Sequence, residues 1–442
     1  MGIFKAYDIR GIVPEDLDAA MARKIGIAAA HVLAAGKGTI LVGRDMRPTG
    51  EELSVAVIDG LTAAGCDVID MGLTSTPMNY YACGAWKVDG AIMVTASHNP
   101  GQYNGFKFCR ADAVPVSNQT GIEKMEERVL SGDLPESKSK GSVSERPALD
   151  EFVQYILDFA GEIGPLKVAI DAGNGMQGMI VPCIFEKLPC EVVPLYFDLD
   201  GTFPNHEANP LKSENMVDLQ KAVKDSGADV GIASDGDGDR VMFVDERAEL
   251  VKADLITALL AQEVLRSAPG GAIIYDLRSS RAVPEAITEA GGEPIESRVG
   301  HSFMRAELRE RGGPMGGELS GHYYWRENYY SDCAAMALVK LLELMTRTGK
   351  KVSELLAPLE RYHATGEINF DVEDKAAKMK ELEAEFPGGD VSHLDGVTIK
   401  FDDWWFNVRP SNTEPVLRLN LEADTAELRD EKRAAVEAVM TR

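Results

Sequence analysis

The chain has 442 residues, 45% of them hydrophobic and 26% charged, and its 46 Lys and Arg are outweighed by 71 Asp and Glu to give a formal net charge of −25. That length exceeds one compact core and implies about three or four domains; the acidic excess argues against general nucleic-acid binding, which relies on Lys and Arg against phosphates, but leaves room for a small phosphorylated ligand that needs only a local cluster of donors. No apolar run reaches the roughly 18 residues of a membrane span, the segment MGIFKAYDIRG lacks the apolar stretch of a signal peptide, Ala6 stands where a myristoylation motif wants Ser or Thr, and six cysteines (66, 83, 109, 183, 190, 333) without a Cys-x-x-Cys pair read as reduced thiols of a cytosolic protein.

In chain order, GTILVGRDMRP (38–48) predicts an apolar strand ending in a polar loop, EELSVAVIDGLTAAG (51–65) a helix, CDVIDMG (66–72) a strand, and GAIMV (90–94) a buried strand that ends at TASHNPGQYNGFK (95–107). In that last stretch a serine, a histidine, an asparagine and a proline precede a Tyr-Asn-Gly turn and a lysine. The rhythm repeats. LKVAIDAGNGMQG (166–178) leads to a helix near 179–188, CEVVPLY (190–196) and ADVGIAS (228–234), which ends at DGDGDR (235–240). GAIIYDLRSSR (271–281) leads to a helix near 282–290, EPIESRVG (293–300) and a Gly-rich approach to GELSGH, closing at His322. Strands that are apolar rather than alternating belong to α/β units covered on both faces. Ligands gather outside the carboxyl ends of such strands, so three polar loops in register are hard to explain as packing.

The last 80 or so residues differ. ATGEINFDV (364–372) predicts a strand, EDKAAKMKELEAEF (373–386) a charged helix, GVTIKFDDWWFNVRP (396–410) and VLRLNLEAD (416–424) strands, and TAELRDEKRAAVEAVMTR a closing helix. RPSNTEP (409–415) is the loop of this α+β part. The expected divisions are 1–143, 144–248, 249–361 and 362–442.

The densest chemistry lies in SDGDGDR, where Asp235, Asp237 and Asp239 alternate with glycines. Three carboxylates this close repel unless a cation neutralises them, and hard oxygen ligands favour Mg²⁺ or Ca²⁺. An EF-hand would use the same aspartates with Glu246 at its twelfth position, but its sixth position is Arg240 where that motif needs glycine, and the flanks predict strands. A second competitor is YFDLDGTFPN, whose Asp198, Asp200, Gly201 and Thr202 resemble the nucleophile motif of haloacid-dehalogenase-like phosphatases. That reading would make Asp198 the phosphorylated group and leave TASHNP, GELSGH and RPSNTEP without tasks. A non-catalytic sugar-phosphate- or calcium-binding protein is the third alternative.

Together, AYDIRG, TASHNP, YNGFK, DGDGDR, GELSGH and RPSNTEP resemble the α-D-phosphohexomutases, in the family's order from residue 3 to about 420, and within them the bacterial phosphomannomutase/phosphoglucomutase group. DGTFPNHEANP matches a further loop of that family and accounts for the dehalogenase-like string. The resemblance implies three topologically related α/β domains plus a C-terminal α+β domain around a central cleft. It implies an enzyme that interconverts hexose 1-phosphate and hexose 6-phosphate, of mannose or glucose, through a phosphoserine at Ser97 and a hexose 1,6-bisphosphate that also serves as activator. One Mg²⁺ would be held by Ser97, Asp235, Asp237 and Asp239. Lys107 is the leading proton-transfer group, provided that nearby Arg10, His98 and Arg240 lower its pKa; His98 and His322 are alternatives. Glu318 and Ser320 would bind sugar hydroxyls. Arg409, Ser411, Asn412 and Thr413 would cradle the phosphate that is not transferred, with Tyr7 near the reacting centre and Arg278 and His301 along the third domain. Arg278 departs from the lysine the family leads one to expect and keeps charge without geometry. Leu319 stands where phosphoglucosamine mutases usually have Gln, which tilts the expectation toward mannose and glucose phosphates. Partners are phosphorylated hexoses, with no nucleic acid and no membrane, in the cytoplasm; monomer and dimer both stay open.

Overall fold

The computed structural model describes residues 2–411 and 416–442. They divide into two compact units, one formed by residues 1–253 with 320–354, the other by 254–319 with 355–442.

The first unit contains two sheets. In one, the parallel strands Gly90–Val94, Thr39–Arg44 and Asp67–Leu73 lie side by side, extended on one edge by Tyr103–Arg110 and Ile9–Ile12, both antiparallel, and on the other by Val143–Glu145. Its core is packed by Ile25, Ile40, Val42, Val57, Leu61, Ile92 and Phe106, all fully buried. The helices Ala19–Ala34 and Gly50–Ala63 cross on its face at Gly26 and Gly60, where a Cβ on Gly60 would lie 2.2 Å from the Arg23 carbonyl. Asp18 caps the first helix by accepting the Met21 N–H. The second sheet pairs Val230–Ser234 with Lys167–Asp171 in parallel and with Val241–Val244 antiparallel. The strands Gly90–Val94 and Val230–Ser234 are buried at every position, as covered parallel strands require. The hairpin Tyr323–Trp325 and Ser331–Asp332 and the helix Ala334–Thr348 complete this unit.

The second unit has a parallel core of Glu293–Ser297, Ala272–Asp276 and Met315–Gly317. Its other sheet is antiparallel in the order His363–Asp371, Val416–Ala423, Trp404–Pro410, Val397–Lys400 and Asp390–Ser392, covered by the helices Lys375–Glu385 and Ala426–Met440.

Two sequence expectations change. YNGFK is no turn: Tyr103–Arg110 is an eight-residue strand, and Lys107 pairs with Met93. The chain has already reversed over residues 98–102, so the Asn-Gly pair sits inside a ladder, with the Asn104 side chain accepting the Gly105 N–H. GVTIKFDDWWFNVRP is two strands, Val397–Lys400 and Trp404–Pro410, because the consecutive aspartates Asp402 and Asp403 favour a reversal over continued pleating. All six cysteines are free thiols, and among the described residues no helix is long and apolar enough to cross a membrane.

Candidate active site

Ser97 follows the buried strand Gly90–Val94 and sits with φ 50°, the left-handed region that a non-glycine residue seldom occupies. Its Oγ donates to Asp235 Oδ2 at 2.7 Å, and His98 Nδ1 lies 3.2 Å from the same Oγ. Asp235 opens the loop between the antiparallel strands Val230–Ser234 and Val241–Val244. The two glycines of this loop have distinct tasks. A Cβ on Gly236 would stand 2.7 Å from the Ser97 carbonyl, so glycine permits the two loops to meet; Gly238 takes φ 75°.

The carboxylates of Asp235, Asp237 and Asp239 are buried and each offers an oxygen within 4.8 Å of the others. Asp235 Oδ1 accepts the backbone N–H groups of Gly238 and Arg240. Asp237 Oδ2 accepts from Thr76 Oγ1 at 2.6 Å and from Lys107 Nζ at 2.7 Å, while Asp239 Oδ2 accepts from Lys107 Nζ at 2.5 Å. Asp237 Oδ1 and Asp239 Oδ1 are buried with no hydrogen-bond partner among the described residues. Burial and the two neighbouring carboxylates push Asp235 well above the ordinary range. Asp239 feels the same burial, but Lys107, then His322 and Arg240, outweigh it and hold the group well below that range. Such a cluster of oxygens, two without a donor, suits a hard divalent cation, which would relieve the repulsion among the acids.

Lys107 corrects an expectation. Burial works against its ammonium, yet Asp237 and Asp239 more than compensate and raise its pKa well above the ordinary value. Facing these two carboxylates, the side chain is held in its ammonium form. His98 behaves in the opposite way: the Arg240 guanidinium, then burial and Arg10, lower it well below the ordinary value and keep the imidazole neutral. Arg10 donates to Asn99 Oδ1 at 2.5 Å and to Asp8 Oδ2 at 2.6 Å, and Tyr7 lies half-buried just before the strand Ile9–Ile12. Arg240 Nε donates to His322 Nε2 at 3.3 Å, and His322 Nδ1 lies 2.8 Å from Ser320 Oγ. His322 Nε2 is also 3.5 Å from Asp239 Oδ1.

The first unit thus gathers Ser97, His98, Lys107, the three aspartates, Arg240, Ser320 and His322, with Arg10 on the strand Ile9–Ile12 donating to Asn99 of the serine loop. The second unit holds the other expected residues. Arg278 grips Asp276 through two nitrogens, at 3.0 and 2.7 Å, and Asp276 Oδ2 also accepts the Leu319 N–H. Glu318 is buried and accepts the Gly300 N–H at 2.9 Å, next to His301 at the start of the helix His301–Arg311. Arg409 is buried at the end of Trp404–Pro410, its pKa lowered by burial and by the Arg278 charge. Glu367 draws three guanidiniums together: Arg409 at 2.9 Å, Arg418 at 3.0 Å and Arg278 at 3.5 Å. The Ser411 N–H donates to the Val416 carbonyl. Asn412 and Thr413 lie outside the described residues.

The competing readings find no support in this geometry. The Asp198 side chain is exposed, Asp200 accepts from its own neighbour Thr202, and neither belongs to the carboxylate group. Glu246 accepts both the N–H and the hydroxyl of Ser353, and strands flank the acidic loop. Thr76, Asp276 and Glu367 escaped the sequence reading. Thr76 carried a usable signal, since STPMN reads as a helix start after a strand and a helix N-terminus favours a carboxylate.

Four family models match in succession: phosphoglucomutase/phosphomannomutase alpha/beta/alpha domain I over residues 1–136, domain II over 150–248, domain III over 252–362, and the C-terminal domain over 367–439. A phosphomannomutase/phosphoglucomutase of Pseudomonas aeruginosa is 38% identical over 431 residues, 96% of this chain and 92% of that protein. A protein of Xanthomonas campestris described as phosphohexose mutases is 38% identical over 424 residues, covering 95% and 94%. A crystal structure of a phosphoglucomutase/phosphomannomutase family protein from Burkholderia thailandensis superposes with a TM-score of 0.91 at 36% identity, covering 99% of this chain and 97% of that one.

Proposed function

The chain belongs to the phosphoglucomutase/phosphomannomutase family, and from that premise we propose that it interconverts the 1- and 6-phosphates of mannose or glucose through a phosphorylated Ser97. The observation that carries this reading is the 2.7 Å contact from Ser97 Oγ to Asp235 at the three-carboxylate cluster. Phospho-Ser97 gives its phosphoryl group to the free hydroxyl of the hexose monophosphate and forms the 1,6-bisphosphate. The bisphosphate turns end for end, its other phosphoryl group returns to Ser97, and the isomeric monophosphate leaves. The 1,6-bisphosphate also primes the enzyme.

Asp235, Asp237 and Asp239, with phosphorylated Ser97, would hold Mg²⁺, which would supply charge neutralisation for the transferring group. The chain's own groups do the rest. Lys107 contributes a permanent positive charge against Asp237 and Asp239. The His98 imidazole, 3.2 Å from Ser97 Oγ, is placed to relay the serine proton to the sugar oxygen that departs when the phosphoryl group returns. His322 orients Ser320, and Ser320 with Glu318 binds secondary sugar hydroxyls. Arg409, Ser411, Asn412 and Thr413 hold the phosphate that stays, with Tyr7, Arg278 and His301 completing the binding set. The segments 1–143, 144–248, 249–361 and 362–442 carry the phosphoserine, metal, sugar and phosphate loops respectively, and the enzyme works in the cytoplasm.

The test is Ser97→Ala. It should bind glucose 1-phosphate but lose nearly all conversion to glucose 6-phosphate, and intact-protein mass spectrometry should lose the phosphorylated species that glucose 1,6-bisphosphate produces in the wild type. Wild-type turnover in this variant would refute the assignment. Rates with mannose, glucose and glucosamine 1-phosphates settle the sugar; Leu319 sets the expectation that glucosamine is the poorest.

A further inference from the structure

Arg47 is 2% exposed, among the least exposed charged side chains in the protein, and the chemistry proposed above leaves it without a task. It leaves the strand Thr39–Arg44 in the loop GRDMRP and runs under the serine loop. Its two terminal nitrogens each donate twice: Nη1 to the carbonyls of Pro100 and Tyr103, both at 2.8 Å, and Nη2 to those of Ser97 at 2.8 Å and Asn99 at 2.6 Å. One planar group thereby caps four carbonyls within a seven-residue reversal. Asp45, fully buried, lies 3.3 Å from Arg47 Nε and accepts the Arg47 N–H. Its other oxygen accepts the Thr95 hydroxyl at 2.6 Å, and Thr95 Oγ1 accepts the Ser97 N–H at 2.9 Å. Ser97 is held on both sides of its Cα, through its N–H by Thr95, itself bonded to Asp45, and through its C=O by Arg47. The Phe203 ring stacks on the guanidinium at 5.2 Å and closes the cage.

We infer that Arg47 is a positioning residue for phosphoryl transfer: by capping the four carbonyls it locks Ser97 in its left-handed conformation and so aims Oγ at the carboxylate cluster. A non-glycine residue with φ 50° persists only where its surroundings over-determine it, and here the determinants converge on one guanidinium. Transfer in line needs the nucleophile held to a fraction of an ångström; a displacement near 1 Å costs on the order of 100-fold in rate. Lysine cannot replace this arginine. Its ammonium has three hydrogens on one atom, against the four carbonyls met by a planar fork.

This inference rests on the Ser97 reading, and the test separates the two. Arg47→Lys, with Ser97→Ala beside it, is assayed with glucose 1-phosphate and Mg²⁺ at a temperature well below the melting point of each variant. Arg47→Lys should lose on the order of 100-fold in kcat with KM within about twofold of wild type, and phosphoryl uptake at Ser97 from glucose 1,6-bisphosphate, followed by mass spectrometry, should slow in step. In Arg47→Ala, added guanidinium ion at low millimolar concentration should recover part of the rate, and ammonium should not. A wild-type kcat in Arg47→Lys, or a fall in kcat with uptake at the wild-type rate, overturns the inference even if Ser97→Ala is inactive. An active Ser97→Ala overturns the underlying reading instead. If Arg47→Lys does not fold, Thr95→Val decides, since it cuts the other half of the cage: a loss of more than about fivefold in kcat at unchanged KM supports the cage, and an unchanged kcat overturns it.

Discussion

Replacing Lys107 by Met removes a charge and keeps most of the volume. The ammonium lies 2.7 Å from Asp237 Oδ2 and 2.5 Å from Asp239 Oδ2, and the side chain is only 12% exposed. At an effective dielectric constant of about 20, a pair at such distances attracts by roughly 6 kcal/mol, most of it offset by desolvation. Deleting one partner of a buried pair costs about 3–5 kcal/mol, because it strands the other charge. Here it strands two carboxylates beside a third. In EDTA, urea unfolding of Lys107→Met should therefore lose about 3–5 kcal/mol relative to wild type. A divalent cation does for the cluster what the ammonium did, so the variant should gain more from Mg²⁺ than the wild type does. Binding that is tenfold tighter adds about 1.4 kcal/mol to the stabilisation at saturating ion. The assay is paired urea titration in EDTA and in Mg²⁺, with calorimetric titration of the ion. A loss that is the same in both conditions would refute the claim that Lys107 acts on the carboxylates, and with it the reading of the cluster as a cation site.

Other outcomes follow from the same contacts. Thr76→Val removes the 2.6 Å hydrogen bond to Asp237 and should cost about 1.5–3 kcal/mol in urea unfolding; it should also weaken Mg²⁺ binding, and an unchanged ion affinity would separate Thr76 from the site. His206 Nε2 lies 2.9 Å from Asp171 Oδ2 and Nδ1 lies 2.8 Å from the Glu207 carbonyl, so both ring nitrogens donate. Burial opposes the charged ring, but Asp171 prevails and its pKa is raised. The stability it adds is then complete below the unfolded value near 6.5 and is lost as the pH climbs through the raised folded value. The gap in unfolding free energy between wild type and His206→Gln should be wider at pH 6 than at pH 9, and a gap independent of pH would exclude the ion pair. Glu367→Gln weakens the carboxylate shared by Arg278, Arg409 and Arg418 and should cost on the order of 1–3 kcal/mol. Inorganic phosphate should restore more stability to this variant than to wild type, and equal effects would argue against an anion cradle.

How far the sequence carried the reading depends on chain distance. Asp235, Asp237 and Asp239 were legible because alternation with glycine packs the chemistry into one short string, and Ser97 because a core strand rarely ends in Ser-His-Asn-Pro. What these groups face was not legible. Lys107 meets Asp237 across 130 residues of chain and Thr76 meets it across 161, and no local pattern reports such meetings. Lys107 shows the consequence. The sequence reading set the cations Arg10, His98 and Arg240 near it, which suggests a depressed pKa, whereas the groups that touch it are Asp237 and Asp239, which raise it. Arg47 was visible only as one more charge in a polar loop, because its partners are backbone carbonyls, which every residue has. In the fold, strand existence was read well where burial is uniform, as in Gly90–Val94. It failed at YNGFK because a turn-like dipeptide can be held in a ladder by its own side-chain hydrogen bond.

The first compact unit is interrupted: the chain leaves it after residue 253 and comes back only for residues 320–354. The returning piece supplies Trp325, whose ring meets Phe159 edge-on, and Glu343, which accepts the Gly161 N–H. During synthesis, then, the amino-terminal 253 residues must wait for about a hundred more to emerge before their own packing is finished. A polypeptide ended at residue 253 would carry an uncovered apolar seam, a natural handle for chaperones and a poor starting point for dissecting the enzyme into pieces.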